Sequence, residues 1–199
     1  MTTDAPVSPH RAPRGEINLH DERITTDTPN EMWGTDGVRI KTVDDGLVWV
    51  FSAVDHCDAY CAGTHTVKAG DRFAALEPIS RGLQSEFGGV GARMGVGLTL
   101  RMNHGSQYTC DDFHNQLKFW GITPSYAFVA EPQTNGVAER FNRTMKEQVI
   151  HGRIFRNIED VRAAVVDFKD RYNREWRREK LGFMSPLEAR QARMFKQAA

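Results

Sequence analysis

Three residues with oxygen-bearing side chains lie at positions of the predicted strands and helices that an α/β fold can bring close together. Asp36 falls within the first predicted strand, Asn103 follows directly after the fourth, and Glu139 begins a long predicted helix after the fifth. In an α/β sheet, strand ends and helix starts are where side chains converge on one cleft. The sequence therefore predicts a candidate active site in which two carboxylates and one amide supply the reactive oxygens.

Two basic residues follow Glu139 on one face of the long predicted helix. Glu139, Arg143 and Lys146 are separated by four and then three residues, the spacing that brings side chains to the same side of an α-helix. A carboxylate there lies beside two cations. The ordinary interpretation is a solvated helix face with an ion pair, and spacing alone favours it. The functional interpretation is a working carboxylate beside groups that hold phosphate.

The elements that must position these residues follow from hydrophobic periodicity. The predicted strands are MWGTDGVRIKTV, LVWVFSAVD, AYCAGTHTV, LTLRM and ITPSYAFV. The predicted helices run over Phe73–Phe87, Phe113–Trp120, about 136 to 153, Ile158–Tyr172 and a short stretch after Ser185. Pro78 is expected to kink or divide the first helix, and Thr109 with Asp112 to form a capping box for the second. This order predicts an α/β fold with a mixed sheet flanked by helices.

The order and spacing of the motifs resemble the retroviral-integrase-like transposases of bacterial insertion sequences. The resemblance covers roughly residues 30 to 190, through WGTD around Asp36, NHGSQY from Asn103, NGVAERFNRTMKE around Glu139, RYNREW and MSPLEAR. Thirty-five residues separate Asn103 from Glu139. Each motif is weak alone, but their order is specific. The resemblance implies a ribonuclease-H-like fold with a five-stranded mixed sheet, and a function in DNA integration and transposition.

In this family, Asp36, Asn103 and Glu139 would be both the catalytic residues and the metal ligands. The resemblance implies that these positions hold two Mg²⁺ or Mn²⁺ ions, with Asp36 bridging them, for DNA strand cleavage and transfer by displacement at phosphorus. It also implies that Lys146 lies near the DNA backbone, and Arg143 is expected to contact phosphate. The expected partners are DNA, at the element ends and the target, and further copies of the chain.

Asn103 departs from the family pattern, which has a carboxylate at this position. Two carboxylates oppose the charge of two divalent cations less well than three, and an amide oxygen is neutral, so the second metal is expected to bind poorly. We therefore expect DNA binding to outlast catalysis. Natural decay and a deliberate substitution are both consistent with the sequence. The alternative function is a non-catalytic DNA-binding or oligomerising remnant, and a ribonuclease-H-type nuclease is a third.

Charge is unevenly distributed along the 199 residues. The chain has 26 basic and 26 acidic side chains, but residues 139–199 carry 15 basic against 9 acidic ones, which predicts contact with a polyanion. We predict a flexible N-terminal arm at 1–30, an integrase catalytic core at 31–175, and a basic C-terminal extension with a short helix at 176–199. The arm is too short and too poor in apolar periodicity for a helix-turn-helix.

Several other functions are disfavoured by the sequence. No apolar run approaches the roughly 18 residues of a membrane span, and three cysteines with a polar N-terminus predict a soluble, cytoplasmic protein with no membrane partner. Cys57, Cys61 and His65 recur every four residues, but this is not a zinc-knuckle spacing, so buried thiols are favoured. The four tryptophans, including Trp176, are expected in the core rather than in contact with bases.

Overall fold

Five strands and six α-helices make up residues 26–127 and 135–197, the part of the chain that the computed structural model describes. The strands are β1 (Met32–Lys41), β2 (Leu47–Asp55), β3 (Cys61–Val67), β4 (Thr99–Met102) and β5 (Thr123–Tyr126). The helices are α1 (Arg72–Glu86), α2 (Ser106–Thr109), α3 (Asp111–Trp120), α4 (Gly136–Met145), α5 (Ile158–Glu175) and α6 (Pro186–Gln197). Most of the predicted arm at 1–30, and the end of the fifth predicted strand, lie outside the described residues.

β1 is the central strand of a mixed sheet with the order β3-β2-β1-β4-β5. β1 pairs antiparallel with β2, and β2 pairs antiparallel with β3. β4 runs parallel to β1, and β5 runs parallel to β4. The antiparallel strands follow each other through turns, whereas helices lie between the parallel ones, as their connections require. The predicted mixed sheet of five strands flanked by helices is therefore confirmed.

Side chains that alternate along the strands contribute to two hydrophobic cores, one on each face of the sheet. On β2, Phe51 and Ala53 join the core built with α1 and α3, whereas Val50 and Val54 join the core built with α4 and α5. A strand buried on both faces reads as a continuous apolar run, which is how LVWVFSAVD appears in the sequence. The second core holds α4 against the sheet and so fixes the position of the polar side chains on the opposite face of α4.

The sequence predicts that Pro78 kinks or divides the first helix. α1 runs unbroken through Pro78, so the predicted division is wrong. The Asp71 side chain caps the helix by accepting the N–H of Ala74 over 2.8 Å. Pro78 and its neighbour Ile79 are buried against the sheet. Because most helix stability in proteins comes from such packing, the one hydrogen bond lost at the proline does not end the helix.

Two further helix boundaries differ from the prediction. Thr109 is the last residue of the separate short helix α2, and Cys110 is the N-cap of α3 without a side-chain hydrogen bond, so the predicted capping box is absent at this helix start. The long helix predicted to run to about 153 is α-helical only to Met145. It continues as a π-helical segment over Lys146–Ile150 and then ends at the extended residue His151.

A buried ion-pair network around Arg190 fixes α6 to the rest of the fold. The Arg190 side chain is 3% exposed, and its guanidinium nitrogens lie 3.1 Å from Asp55, 3.0 Å from Asp58 and 2.8 Å from Glu86. The guanidinium also lies over the ring of Tyr60, 4.6 Å from its centroid. None of the helices in the described part of the chain combines the length and apolar character needed to cross a membrane.

Candidate active site

The parallel pairing of β1 with β4 brings Asp36 and Asn103 together. Met32, Trp33 and Gly34 pair with β4, and Asp36 follows two residues beyond this paired stretch. Asn103 comes directly after the end of β4. Its Nδ2 atom donates a hydrogen bond to Oδ1 of Asp36 over 3.2 Å. Two side chains that are 67 residues apart in the chain are thus in direct contact.

α4 carries Glu139 to the same cleft. Glu139 is in the first turn of α4, whose buried residues Ala138 and Phe141 pack toward the sheet. The cleft has a volume of about 300 Å³. Its lining includes Asp36, Glu139, Asn142, Arg143, Lys146 and Glu147. The carboxyl groups of Asp36 and Glu139 therefore face one space rather than opposite sides of the molecule.

The two carboxyl groups both hold their protons more tightly than usual. Burial raises the pKa of Asp36, while a hydrogen bond from Asn142, the N–H of Gly37 and the charge of Lys146 oppose that rise. Partial burial raises the pKa of Glu139, and the negative charge of Asp36 raises it further against the opposing charge of Arg143. Burial is thus the main cause of both pKa shifts, and the two carboxyl groups are close enough for the charge of Asp36 to act on Glu139.

The orientation of the Asn103 amide is set by the backbone. Its Oδ1 atom accepts the N–H of Gly105 over 2.8 Å, which leaves Nδ2 to face Asp36. The amide therefore presents an N–H group, rather than an oxygen, to Asp36. A carboxylate at position 103 would instead place an oxygen against Asp36, and two anionic oxygens at that distance repel each other unless a cation lies nearby.

Asn142 belongs to this site, although the sequence analysis does not identify it. Its buried side chain donates from Nδ2 to Oδ2 of Asp36 over 3.1 Å and accepts from the Ser52 hydroxyl over 3.1 Å. Ser52 lies on β2, directly opposite Asp36 in the β1–β2 register. The signal was available, because Asn142 follows Glu139 by three residues and therefore shares its side of α4.

Arg143 and Lys146, the two predicted DNA-binding residues, both line the cleft with exposed side chains. Neither forms an ion pair within 4 Å among residues 26–127 and 135–197. Lys146 is also the first residue of the π-helical segment, where the wider turn changes the direction of the following side chains. The ordinary interpretation of this face as a solvated surface with an ion pair is therefore incomplete, since Arg143 and Lys146 act on Glu139 and Asp36 only from beyond ion-pair distance.

The side chains present do not fit the pair of divalent cations that the family resemblance implies. Both oxygens of Asp36 accept amide N–H groups, from Asn103 and Asn142. In the part of the chain that is described, no group of three His, Cys, Asp or Glu side chains is arranged to hold a metal ion. Two carboxylates and an inward-facing amide N–H are a poor ligand set for Mg²⁺, which requires oxygen donors.

The alternative zinc cluster is not formed in the described residues either. Cys61 is buried, and burial raises the pKa of its thiol to about 12. Burial likewise raises the pKa of the Cys57 thiol to about 12. Because zinc binds the thiolate, two thiols that hold their protons this tightly are poor zinc ligands.

Comparison with known proteins gives the same class of relative throughout. Residues 120–186 match the family described as the integrase core domain. The transposase for insertion sequence element IS629 of Shigella sonnei is 26% identical over 170 residues, which are 85% of this chain and 55% of that protein. The catalytic core domain of BIV integrase matches with a TM-score of 0.58 and 17% identity, over 85% of this chain and 99% of that one. The HTLV-2 integrase catalytic core domain in complex with magnesium, in its trimeric form, matches with a TM-score of 0.60 and 13% identity, over 82% and 97%.

The sheet order and the flanking helices give the chain the ribonuclease-H-like fold of the integrase catalytic core domains that it matches. The chain is similar in sequence to the integrase core domain family over residues 120–186, and over 170 residues to the insertion-sequence transposase of Shigella sonnei. It spans about half the length of the curated transposase that it matches.

Proposed function

We propose that this chain is the DNA-binding catalytic core of a transposase that acts in DNA integration and transposition. The observation that carries the proposal is the position of Asp36 in an integrase-type fold, where it shares one cleft with Glu139 and is in direct contact with Asn103. In this proposal the three positions are the centre of DNA strand cleavage and transfer. The transposase and integrase names of the relatives support it.

The exposed cations beside the cleft support a DNA substrate. Arg143 and Lys146 would each hold a backbone phosphate, because free guanidinium and ammonium groups bind phosphate oxygens. The phosphate would then lie next to Asp36 and Glu139, which share the cleft with both cations. Binding at these residues depends on charge and therefore does not require any particular base sequence.

We infer that divalent-cation binding is the step that this copy performs poorly. A magnesium complex of the similar HTLV-2 core supports a divalent cation as the cofactor of the family. With Asn103 the cleft offers two carboxylates, and the amide N–H that faces Asp36 repels a cation. Mg²⁺ or Mn²⁺ therefore binds weakly, and the second of two ions binds most weakly. DNA binding through Arg143 and Lys146 remains.

The proposed partners are element-end DNA, target DNA and further copies of the chain. The dimeric and trimeric forms in which the HTLV-2 core has been solved support self-association. The free thiols of Cys57, Cys61 and Cys110 are compatible with the cytoplasm, where cysteines stay reduced.

The test compares the chain with its Asn103→Asp variant on supercoiled plasmid DNA, which requires no knowledge of the element ends. We expect Asn103→Asp to nick the plasmid in Mg²⁺ or Mn²⁺ at least about 100-fold faster than the parent, since it supplies the missing anionic ligand. Both proteins should shift DNA equally in a binding assay. The double variant Asn103→Asp with Glu139→Gln controls for contaminating nucleases and should not nick.

Two other outcomes identify the rival functions. If Asn103→Asp binds DNA but does not nick it in either metal, the chain is a DNA-binding remnant and the catalytic proposal is wrong. If the variant hydrolyses the RNA strand of an RNA–DNA hybrid in preference to plasmid DNA, the core is a ribonuclease-H-type nuclease.

A further inference from the structure

A larger groove runs along α4 next to the candidate active site. It has a volume of about 1130 Å³ and shares Glu139, Arg143 and Glu147 with the cleft as lining residues, so the two spaces are adjacent. Its other wall is the connector at 176–180, between α5 and α6. Small-molecule pockets have volumes of roughly 300–1,000 Å³, so an extended ligand fits this groove better than a compact one.

The groove is lined by more cations than anions. The basic lining residues are Arg140, Arg143, Arg177, Arg178 and Lys180, and the acidic ones are Glu139, Glu147 and Glu179. Arg140 and Arg143 have exposed side chains and form no ion pair within 4 Å in the described ranges of the chain. Arg178 donates to the Tyr172 hydroxyl over 3.1 Å, which holds its guanidinium in place. The excess of positive charge among the lining residues therefore favours a polyanion as the ligand of the groove.

One tryptophan lines this groove instead of lying in the core, contrary to the sequence-based expectation. Trp176 is 37% exposed, whereas Trp33 is fully buried. The Trp176 ring stacks on Tyr172, with centroids 6.3 Å apart and planes 23° apart. Tyr172 in turn packs against Phe141, with centroids 4.9 Å apart. Trp176 is thus a rigid, partly exposed aromatic surface between arginines.

We propose that this groove binds an unpaired DNA strand, with one base stacked on Trp176 and phosphates held by Arg140 and Arg143. The proposal rests on the proposed function and specifies the form of DNA that reaches the cleft. A duplex hides its base faces within the stack, whereas an unpaired strand offers them to an exposed aromatic ring. Since Glu139 and Arg143 line both spaces, a strand in the groove would lie next to the cleft that contains Asp36.

Fluorescence anisotropy of a labelled oligothymidine of about 15 nucleotides, compared with a blunt duplex of equal length, tests this proposal. We expect Trp176→Ala to weaken single-strand binding about tenfold and duplex binding less than twofold, because only the unpaired strand stacks on the indole. Trp176→Phe should restore most of the affinity, and it covers the case in which the alanine variant folds poorly. Phe119→Ala, which removes an exposed aromatic ring from α3 outside the groove, is the matched control.

The arginines have a separate readout in the salt dependence of binding. Arg140→Ala should reduce the slope of log K against log salt concentration by about 0.7 on the single strand, the value for one lost phosphate contact. Lys118→Ala removes an exposed charge from α3 and should leave that slope unchanged. Equal effects of Trp176→Ala and Phe119→Ala, or equal losses on single strand and duplex, would overturn the proposal.

Failure of this inference is distinguishable from failure of the proposed function. Nicking by Asn103→Asp without any effect of Trp176→Ala on strand binding would reject the groove alone. Strand binding that depends on Trp176, together with an inactive Asn103→Asp variant, would reject the catalytic proposal and leave the groove as a DNA-binding site.

Discussion

An amide instead of a carboxylate at position 103 changes the charge next to Asp36 by one unit. The hydrogen bonds of the neighbouring residues show the effect of this change. The Gly105 N–H holds one side-chain oxygen of residue 103, so the other terminal atom must face Asp36. With an amide this atom is a donor and satisfies Asp36 without a cation. With a carboxylate the same geometry produces repulsion, which a divalent cation relieves. The amide thus removes both a ligand and the need for the ion.

Asn103→Asp should therefore make folding stability depend on divalent cations. In a chelator we expect the variant to lose about 1–3 kcal/mol, since an adjacent carboxylate raises a pKa by one or more units and one unit is about 1.4 kcal/mol. The raised pKa values mean that this loss is largest at neutral pH and shrinks as the pH falls and the pair is protonated. Thermal unfolding with and without Mg²⁺ measures it. Equal stability of variant and parent in the chelator at pH 7 would contradict this account.

Asn142 positions the Asp36 carboxylate, and removal of the Asn142 side chain should lower the stability of the protein as well as disturb the orientation of Asp36. Asn142→Ala leaves Ser52 and one oxygen of Asp36 without their partner, and a buried unsatisfied group costs about 1–3 kcal/mol. Because the lost hydrogen bond lowers the pKa of Asp36, the deficit should be greater at pH 7 than near pH 4. Urea unfolding at both pH values measures this difference. Asn115→Ala, at an exposed site on α3, should change stability by less than about 0.5 kcal/mol, and a similar small effect for Asn142→Ala would refute the assignment.

At the scale of elements, the sequence predicts all five strands because their apolar runs and alternation directly record burial. The positions of Asn103 directly after β4 and of Glu139 in the first turn of α4 also follow from the sequence, whereas Asp36 lies within β1 and reaches Asn103 through the parallel pairing of β1 with β4. The π-helical segment from Lys146 and the contact of Asn142 with Ser52 were not predicted, because both depend on how α4 packs across β2. Tertiary packing also explains why Pro78 lies within a continuous α1.

The close approach of α1 to β3 depends on a missing side chain. A Cβ atom at Gly63 would lie 2.0 Å from the carbonyl oxygen of Pro78, a backbone atom that moves only if α1 moves. We expect Gly63→Ala to destabilise the protein by about 3 kcal/mol, at the upper end of overpacking costs. Gly89→Ala, whose Cβ would meet only Met94 at an ordinary 3.5 Å, is the control and should be nearly neutral. Comparable denaturation midpoints for the two variants would show that α1 shifts without cost.

At the scale of the whole molecule, one guanidinium links parts of the chain that are distant in sequence. Arg190 of α6 meets Asp55 at the end of β2, Asp58 in the turn after it and Glu86 at the end of α1. Three carboxylates thus surround one cation in the interior. Burial raises the pKa of Asp58 to about 6, with the charge of Asp55 adding to the rise and Arg190 opposing it. The network therefore holds α6 in place, but at neutral pH its three carboxylates carry more negative charge than Arg190 neutralises.

Asp58→Asn should convert that charge into a measurable pH effect. The folded protein binds the Asp58 proton more tightly than the unfolded chain does, so the contribution of Asp58 to stability falls as the pH rises from about 4 to 6 and is constant above that. The asparagine retains an acceptor for Arg190 but does not ionise. The free energy of unfolding of the variant, relative to the parent, should therefore increase between pH 4 and pH 6 and then level off in urea titrations.

Glu188→Gln is a control of opposite sign. The N–H of Ser185 and the charge of Arg177 lower the pKa of Glu188, so the stability of this variant relative to the parent should decrease as the pH rises. If Asp58→Asn instead loses relative stability over this range, the ionised Asp58 stabilises the fold and α6 is held by a balanced network.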